Sequence, residues 1–259
     1  MTVRRMRRRA GSSCTELSRN AGTVRRLPGW CAGMLPPMRS VLRSLVEALP
    51  VSLANRAHAA KHRLYWLTRG HRAHQIYYEQ YRTRDRIIQP ALDWCATHPR
   101  NPLRVIELGC SGGNNLRLLR EMHRGGDIDY LGLDIQRDAV EFARRQFPDA
   151  RFEVADDRAL ADAQIPWGHW DVFLASGVLS YIQEERVAAV LRAAARLSEL
   201  AVICDELSRF DATAGANDGV FLHPYGVLCK ESGLHVQQRP AQLERHRYAV
   251  FTAVPQRDG

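Results

Sequence analysis

Between residues 104 and 206, short apolar runs alternate with longer stretches of helical periodicity. The stretch 115–123, for example, places Leu116, Leu119 and Met122 on one helical face. Runs of strand length that alternate with helix-like stretches predict parallel strands joined by helices. The predicted strands span 104–108, 128–134, 152–155, 171–175 and 200–204.

Each predicted strand is followed by, or ends in, acidic or small residues. The carboxyl ends of parallel strands meet at one edge of the sheet, and open α/β sheets bind their ligands at that edge. A binding site is therefore predicted there, and its repetition over successive strands carries more weight than any single motif. The residues at these ends are Glu107, Gly109, Asp134, Asp156, Asp157, Ser176, Gly177, Asp205 and Glu206.

The first strand runs into a loop of small residues, 109–113, that opens a helix. Such a loop lets ligand atoms approach the backbone and directs the free N–H groups of the helix toward them. Asp134 follows at the end of the second strand, where a carboxylate beside the loop can accept hydrogen bonds from ribose hydroxyls. Many nucleotide-binding proteins share such loops, so the loop alone does not identify the ligand.

The series resembles the class I S-adenosylmethionine-dependent methyltransferases over residues 102–254. Their acid-leucine-glycine-cysteine-glycine-x-glycine motif corresponds to Glu107-Leu108-Gly109-Cys110-Ser111-Gly112-Gly113. Ser111 replaces the middle glycine, which narrows the allowed backbone angles but adds a hydroxyl donor. The resemblance implies an α/β fold: a doubly wound, mostly parallel seven-stranded sheet of the Rossmann-like methyltransferase type.

The resemblance also implies S-adenosyl-L-methionine as cofactor. Gly109 and Gly113 would let its methionine moiety approach, Asp134 would hold the ribose, and Asp156 would accept from the adenine amino group. Ser176 and the stretch 178–181 would wall the cofactor near its sulfur. The expected cofactor-binding residues are Glu107, Gly109, Cys110, Ser111, Gly113, Asp134, Ile135, Asp156, Asp157 and Ser176.

Other interpretations of these residues remain open. A nicotinamide-dinucleotide oxidoreductase also carries a glycine loop and a ribose acid, but its G-x-G-x-x-G spacing differs from the spacing here. A binding module that holds the cofactor without transferring a methyl group is a further alternative. Asp156 and Asp157 could simply cap the next helix, and Cys110 could be a small loop filler. Cys204 is expected to be a buried strand cysteine.

Net charge indicates little affinity for nucleic acid. The chain has a formal charge of +9, yet residues 1–37 hold eight arginines against Glu16, so the remaining 222 residues carry only +2. A near-neutral domain lacks the basic surface that phosphate backbones require. The segment 1–37 is expected to be a disordered basic tail, either a targeting peptide or an extension upstream of a start at Met34 or Met38.

Helical periodicity begins at Met38 and predicts a helical extension or lid over residues 38–99. Helices are expected at 41–49, 53–67, 73–81 and 83–98, before a methyltransferase domain at 100–259. No apolar run reaches the roughly 20 residues that a membrane-spanning helix needs. The six cysteines show no paired metal spacing and no disulfide framework, so we expect no metal and a cytoplasmic location.

The C-terminal part predicts a loop at 211–219, a helix at 221–231, and two strands at 234–238 and 247–253. Catalytic and substrate-binding residues are much less defined. A base could be supplied by His223, His169 or Glu206, while Tyr81, Tyr181, His223 and Tyr225 are candidates for substrate contact. The expected acceptor is a small molecule, methylated on oxygen; the oligomeric state is left open.

Overall fold

The computed structural model describes residues 51–68, 85–123, 126–206, 215–217, 220–242 and 248–256. All of them belong to one compact unit, Arg43–Gly259, which is distinct from Met1–Leu42. The predictions for the tail 1–37, for the helices at 41–49 and 73–81, and for Tyr81 lie outside the described residues. The predicted division at residue 100, between a helical extension and a methyltransferase domain, stays a prediction.

The described elements alternate as the sequence predicts. The helices are α1 (Val51–Thr68), α2 (Asp85–Thr97), α3 (Asn114–Met122), α4 (Arg137–Gln146), α5 (Asp157–Ala161), a 3-10 helix (Leu179–Tyr181), α6 (Glu184–Leu197) and α7 (Tyr225–Glu231). The strands are β1 (Leu103–Leu108), β2 (Ile128–Asp134), β3 (Arg151–Val154), β4 (Trp170–Ser176), β5 (Ser198–Glu206), β6 (Gly215–Asn217), β7 (Val220–Leu222), β8 (Leu234–Gln242) and β9 (Tyr248–Pro255).

Seven strands form one sheet in the order β3-β2-β1-β4-β5-β9-β8, while β6 and β7 form a separate hairpin. The first five strands of this sheet are parallel, and β9 pairs antiparallel with both β5 and β8. The predicted doubly wound, seven-stranded sheet is thus confirmed. The order reverses between β1 and β4, which places the topological switch point beside the glycine loop.

Apolar side chains cover both faces of the sheet because residues along each strand alternate between faces. In β1, Ile106 and Leu108 join the core that packs against α6 and α7, whereas Leu103 and Val105 join the core against α2, α3 and α4. All four are 3% exposed or less. This two-sided burial fixes the register of β1 and therefore the position of the loop that follows it.

One C-terminal prediction is wrong at its start. Phe221 and Leu222 were expected in a helix, but they form β7, and the helix begins at Tyr225. Phe221 and Leu222 pair with Ala216 and Gly215 of β6, which form a hairpin with them. This pairing overrides the helical pattern of the segment, because strand formation depends on partners outside it. The two following strands are confirmed and extend further, to Gln242 and Pro255.

No helix within the described ranges is both long and apolar enough to cross a membrane.

Candidate functional site

The loop after β1 alternates residues in the left-handed backbone region. Gly109 has φ 79°, Ser111 has φ 48° and Gly113, which precedes α3, has φ 82°. A non-glycine residue in this region carries about 1–2 kcal/mol of strain. Ser111 therefore adopts a left-handed backbone conformation that favours glycine, and the loop carries strain at this position.

Close packing also requires the two outer glycines. A Cβ on Gly109 would stand 2.8 Å from Cβ of Val178, and one on Gly113 would stand 2.9 Å from the ring of Phe147. Protein atoms therefore fill the space that a side chain would occupy at both positions. The approach of a methionine moiety to Gly109 and Gly113 stays a prediction, since packing already accounts for both residues.

Asp134, at the end of β2, receives backbone donors from two directions. The Ser111 N–H donates to Oδ2 at 2.9 Å, and the Gln136 N–H donates to Oδ1 at 2.8 Å. Burial raises the pKa of Asp134, and the N–H groups of Gln136, Ser111 and Ile135 oppose that shift. An ionised carboxylate has about four acceptor positions, so this one retains capacity for a ligand hydroxyl.

Glu107, the acid at the end of β1, lies beneath the loop and is 1% exposed. Its Oε1 accepts from Asn115 Nδ2 at 2.7 Å, and its Oε2 accepts from the Tyr130 hydroxyl. Burial, followed by the Glu107 charge, raises the pKa of Tyr130 well above its ordinary value. Glu107 thus ties β1 to α3 and β2, and both of its oxygens already accept hydrogen bonds from the protein.

The Cys110 side chain faces the sheet. It is 3% exposed, and its Sγ lies 2.8 Å from the position that a Cβ on Gly132 would take. Burial, with the charges of Asp134 and Glu107, raises the pKa of this thiol well above its ordinary value. Any contact of Cys110 with a cofactor would therefore come from its backbone.

Asp156 and Asp157, after β3, differ sharply in their surroundings. Oδ1 of Asp156 accepts from the N–H groups of Arg158 and Ala159, which caps α5, while Oδ2 accepts from Arg63 at 2.7 Å. Partial burial acts to raise the pKa of Asp156, but the Ala159 N–H and the Arg63 guanidinium outweigh it, so the pKa is lowered. The helix-capping interpretation therefore holds for Asp156.

Asp157 is buried and forms an ion pair with Arg186 of α6. Burial raises its pKa, and the Arg186 charge opposes the shift. This pair joins α5 to α6.

Helix α1 ends over the same edge of the sheet. Its Trp66 carbonyl accepts from Gln136 Nε2, and its Arg63 forms the ion pair with Asp156. The rings of His62 and Trp66 each lie 5.3 Å from the Tyr181 ring, centroid to centroid. Helix α1 thus contacts three successive strand-end loops, those after β2, β3 and β4.

Buried polar atoms gather around the 3-10 helix after β4. Ser176 Oγ, Ser180 Oγ and His223 Nδ1 are buried and have no hydrogen-bond partner among the described residues. The His223 Nε2 lies 3.0 Å from the Leu179 carbonyl oxygen. Burial lowers the pKa of His223, and the Leu179 and Ile182 carbonyls oppose the shift only in part. Three buried acceptors without partners indicate a place where a ligand or ordered water binds.

Several predicted catalytic and substrate-binding residues do not fit their positions. His169 precedes β4 and therefore lies at the opposite edge of the sheet. Its side chain is 58% exposed, and its Nε2 lies 3.9 Å from Oε1 of Glu199. Tyr225 is fully buried, and its hydroxyl donates to Asp205. Neither presents a group to a ligand at the carboxyl edge, so both predictions are wrong. Glu206 ends β5, but its side chain lies outside the part described.

The sequence predictions missed the residues that close this edge from above. His62, Arg63 and Trp66 share one face of α1, spaced by three and four residues. That spacing was visible in the sequence as a face of ring and guanidinium groups. Gln136 and Arg186 carried no comparable signal, since a single polar residue at a helix start is ordinary.

The arrangement fits an adenosyl cofactor. Asp134 retains acceptor capacity for ribose hydroxyls, Ser176 presents an unpartnered hydroxyl at the end of β4, and the loop before α3 holds the helix N-terminus open to the same edge. When bound, S-adenosylmethionine supplies an activated methyl group. Gly109, Ser111, Asp134, Ile135 and Ser176 stay predicted cofactor-binding residues at this edge.

Comparisons with known proteins agree with this geometry. A family described as a methyltransferase domain matches residues 106–199. A trans-aconitate 2-methyltransferase from Methylobacterium nodulans is 35% identical over 99 residues. That match covers 38% of this chain and 36% of the relative, so the chain spans about a third of the curated relative that it matches.

Solved structures share the fold. A magnesium protoporphyrin IX methyltransferase from Synechocystis with bound S-adenosylmethionine is 17% identical, with a TM-score of 0.56, over 76% of this chain and 97% of that one. Human N-acetylserotonin methyltransferase in complex with the same compound is 13% identical, with a TM-score of 0.56, over 74% of this chain and 58% of that one. Residues 106–199 thus match a methyltransferase domain, and the seven-stranded sheet has the fold of class I S-adenosylmethionine-dependent methyltransferases.

Proposed function

We propose that this protein transfers the methyl group of S-adenosylmethionine to an oxygen atom of a small molecule. The observation that carries the proposal is the position of Asp134: a carboxylate at the switch point, held by backbone donors and retaining acceptor capacity, beside a loop of left-handed residues. A dinucleotide oxidoreductase would also use such an acid, but the family match favours methyl transfer.

The small-molecule acceptor is supported by charge and by the ring contacts above the site. The 222 residues after the basic tail carry a net charge of +2, which does not favour a phosphate backbone. His62, Trp66, Tyr181 and Phe221 form a continuous series of ring contacts beside the strand ends. Aromatic side chains with a few convergent polar groups are typical of pockets for compact, partly apolar ligands.

Protein residues contribute mainly by orientation. An activated methyl group needs an in-line nucleophile, and holding the two reactants in that geometry supplies much of the rate. The stretch 178–181 lies directly against the glycine loop through the Val178–Gly109 contact, so an acceptor held there is next to the cofactor edge. A cytoplasmic location remains a prediction from cysteine usage, and Asp156 remains a proposed acceptor for the adenine amino group.

Calorimetry with S-adenosylhomocysteine and with NAD tests the cofactor. We expect saturable binding of the first and none of the second; the reverse would support the oxidoreductase alternative.

The acceptor class is tested by transfer of radiolabelled methyl groups to a cell extract separated into metabolites, protein and RNA. Label in the metabolite fraction would support a small-molecule acceptor. Oxygen methylation would be supported if alkaline hydrolysis releases the label as volatile methanol from a methyl ester, or if the labelled product is identified as a methyl ether. Label chiefly in RNA would contradict the proposal, and cofactor binding without any transfer would indicate a binding module.

A further inference from the structure

The buried acceptors around the 3-10 helix lie close to the glycine loop. Val178 would touch a Cβ on Gly109, Leu179 follows it, and the Leu179 carbonyl bonds to His223. Two contacts and the peptide bond between Val178 and Leu179 therefore connect the His223 ring to the loop at the cofactor edge. His223 itself is 2% exposed.

The hydrogen bond at Nε2 determines which tautomer the neutral His223 ring adopts. Because a carbonyl oxygen only accepts, Nε2 carries the proton in its 3.0 Å contact with Leu179. Nδ1 of the neutral ring is then an unprotonated acceptor, and no described group donates to it. A buried acceptor left unpaired is destabilising, and a donor on a bound ligand would remove that cost.

The groups that surround His223 preserve this neutral form. Helix α1 presents His62 through the Phe221 contact, β7 and α7 present the rings of Phe221 and Tyr225, and the 3-10 helix presents backbone carbonyls. Asp205, which contacts the Tyr225 hydroxyl, accepts a hydrogen bond from it. No described carboxylate forms an ion pair with His223. The Leu179 and Ile182 carbonyls favour the imidazolium, but burial outweighs them and lowers the pKa of His223.

We propose that Nδ1 of His223 accepts the proton of an un-ionised hydroxyl acceptor, so that the substrate is an alcohol, enol or phenol and not a carboxylate. This inference rests on the proposed function. In the step, the acceptor O–H bond and the methyl–sulfur bond break and the O–methyl bond forms. The proton goes to Nδ1, and the electron pair of the broken methyl–sulfur bond goes to sulfur. Positive charge thus moves from sulfur to the ring, and the total charge of the site is unchanged.

The cations of the site support this acceptor class. A polyanion would need unpaired cationic side chains, but the two arginines described at this edge, Arg63 and Arg186, are held by Asp156 and Asp157. A carboxylate is also ionised at neutral pH and needs no base, which would leave Nδ1 without a role. A hydroxyl acceptor uses both features: it donates to Nδ1 and it brings no charge to be balanced.

The test uses the full chain and two variants. His223→Gln keeps a donor to the Leu179 carbonyl and removes the acceptor at Nδ1, and His235→Gln changes an exposed histidine on β8. Methyl transfer is measured with trans-aconitate and with a panel of phenols and aliphatic alcohols, alongside calorimetry with S-adenosylhomocysteine and thermal unfolding.

We expect His223→Gln to lower kcat about 10²–10⁴-fold on a hydroxyl substrate, with S-adenosylhomocysteine affinity and thermal midpoint unchanged. His235→Gln should match wild type. The wild-type rate should fall as pH drops below the pKa of His223, and that dependence should vanish in His223→Gln. The inference would be overturned if His223→Gln and wild type have equal kcat values, or if His223→Gln loses cofactor affinity and stability in parallel with kcat. Preferred methylation of trans-aconitate by the wild-type protein would also overturn it.

NMR of the imidazole nitrogens in the wild-type protein provides a measurement that requires no turnover and does not depend on whether a variant folds. We expect the His223 resonances to show Nε2 protonated and Nδ1 bare at neutral pH. A protonated Nδ1 would overturn the inference. Failure of wild type to bind S-adenosylhomocysteine would instead overturn the proposed function, so the two failures are distinguishable.

Discussion

The acids at the ends of β2 and β3 were assigned neighbouring roles on one cofactor, yet the protein treats them differently. Asp134 accepts only from backbone N–H groups, and burial raises its pKa. Asp156 accepts from a helix N-terminus and from Arg63, and its pKa is lowered. Its charge is thus already balanced by the protein, whereas that of Asp134 still gains from a ligand. The position of an acid at a strand end brings it to the binding edge of the sheet. Its hydrogen-bond and ion-pair partners decide whether its carboxylate remains available to a ligand.

The largest expected effect is at Asp134. Asp134→Ala should weaken S-adenosylhomocysteine binding by about 1.5–3 kcal/mol for each ribose hydrogen bond lost. Asp156→Asn is the matched control, and calorimetry should show a smaller loss because Arg63 already occupies one oxygen. Equal losses for the two variants would remove the distinction between the acids.

The next effect concerns the loop that holds Asp134. Gly109→Ala should lower the free energy of unfolding by about 2–4 kcal/mol, since it adds left-handed strain and an overlap with Val178. Chemical denaturation would measure the loss. The double variant Gly109→Ala, Val178→Gly, compared with Val178→Gly alone, should recover the part due to overlap. No recovery would show that backbone strain alone is responsible.

The pH dependence should distinguish the two acids. Because the pKa of Asp134 is raised, its contribution to the stability of the free protein increases as pH falls through the range between its folded pKa and the ordinary value of 3.8. Asp156 contributes stability that is present above 3.8 and lost as pH falls through its lowered folded pKa. In the proposed site, ionised Asp134 accepts from the cofactor, so the thermal shift caused by S-adenosylhomocysteine should shrink as pH falls toward the raised pKa. A shift that stays constant until below 3.8 would contradict the raised pKa.

Arg63 offers a smaller effect of opposite sign. Arg63→Ala should strengthen S-adenosylhomocysteine binding up to about fivefold, because it releases Asp156 Oδ2 for the adenine amino group at the cost of one partly exposed ion pair. Arg63→Lys should stay near wild type in the same calorimetric titration. Weaker binding in Arg63→Ala would mean that Arg63 holds the cofactor site together instead of competing for it.

The smallest effect is expected at Ser111. Ser111→Gly should relieve left-handed strain and stabilise the protein by up to about 1 kcal/mol, after the greater flexibility of glycine in the unfolded chain is counted. Thermal unfolding would measure it. Destabilisation would instead assign the Ser111 hydroxyl a structural hydrogen bond.

The strand ends were predictable because their signals are local. A strand from 103 to 108 and a glycine loop at 109–113 follow from neighbouring residues alone, as does Asp134 one strand later. The helix expected from Phe221 was wrong because β6 supplies its hydrogen bonds from outside the segment. Tyr225 was placed at the substrate because its ring and hydroxyl suit binding, but Asp205 on another strand takes that hydroxyl into the core.

The sequence by itself determined the order of strands and helices from β1 to β5, the parallel sheet and the edge at which acids gather, because hydrophobic periodicity and glycine placement act within a few residues. Only the tertiary structure decided which of those acids remain available to a ligand. Arg63 meets Asp156 across 93 residues and His223 meets Leu179 across 44, so no local pattern encodes either contact. Charge balance and hydrogen-bond satisfaction depend on every group within a few ångströms, and folding alone brings those groups together.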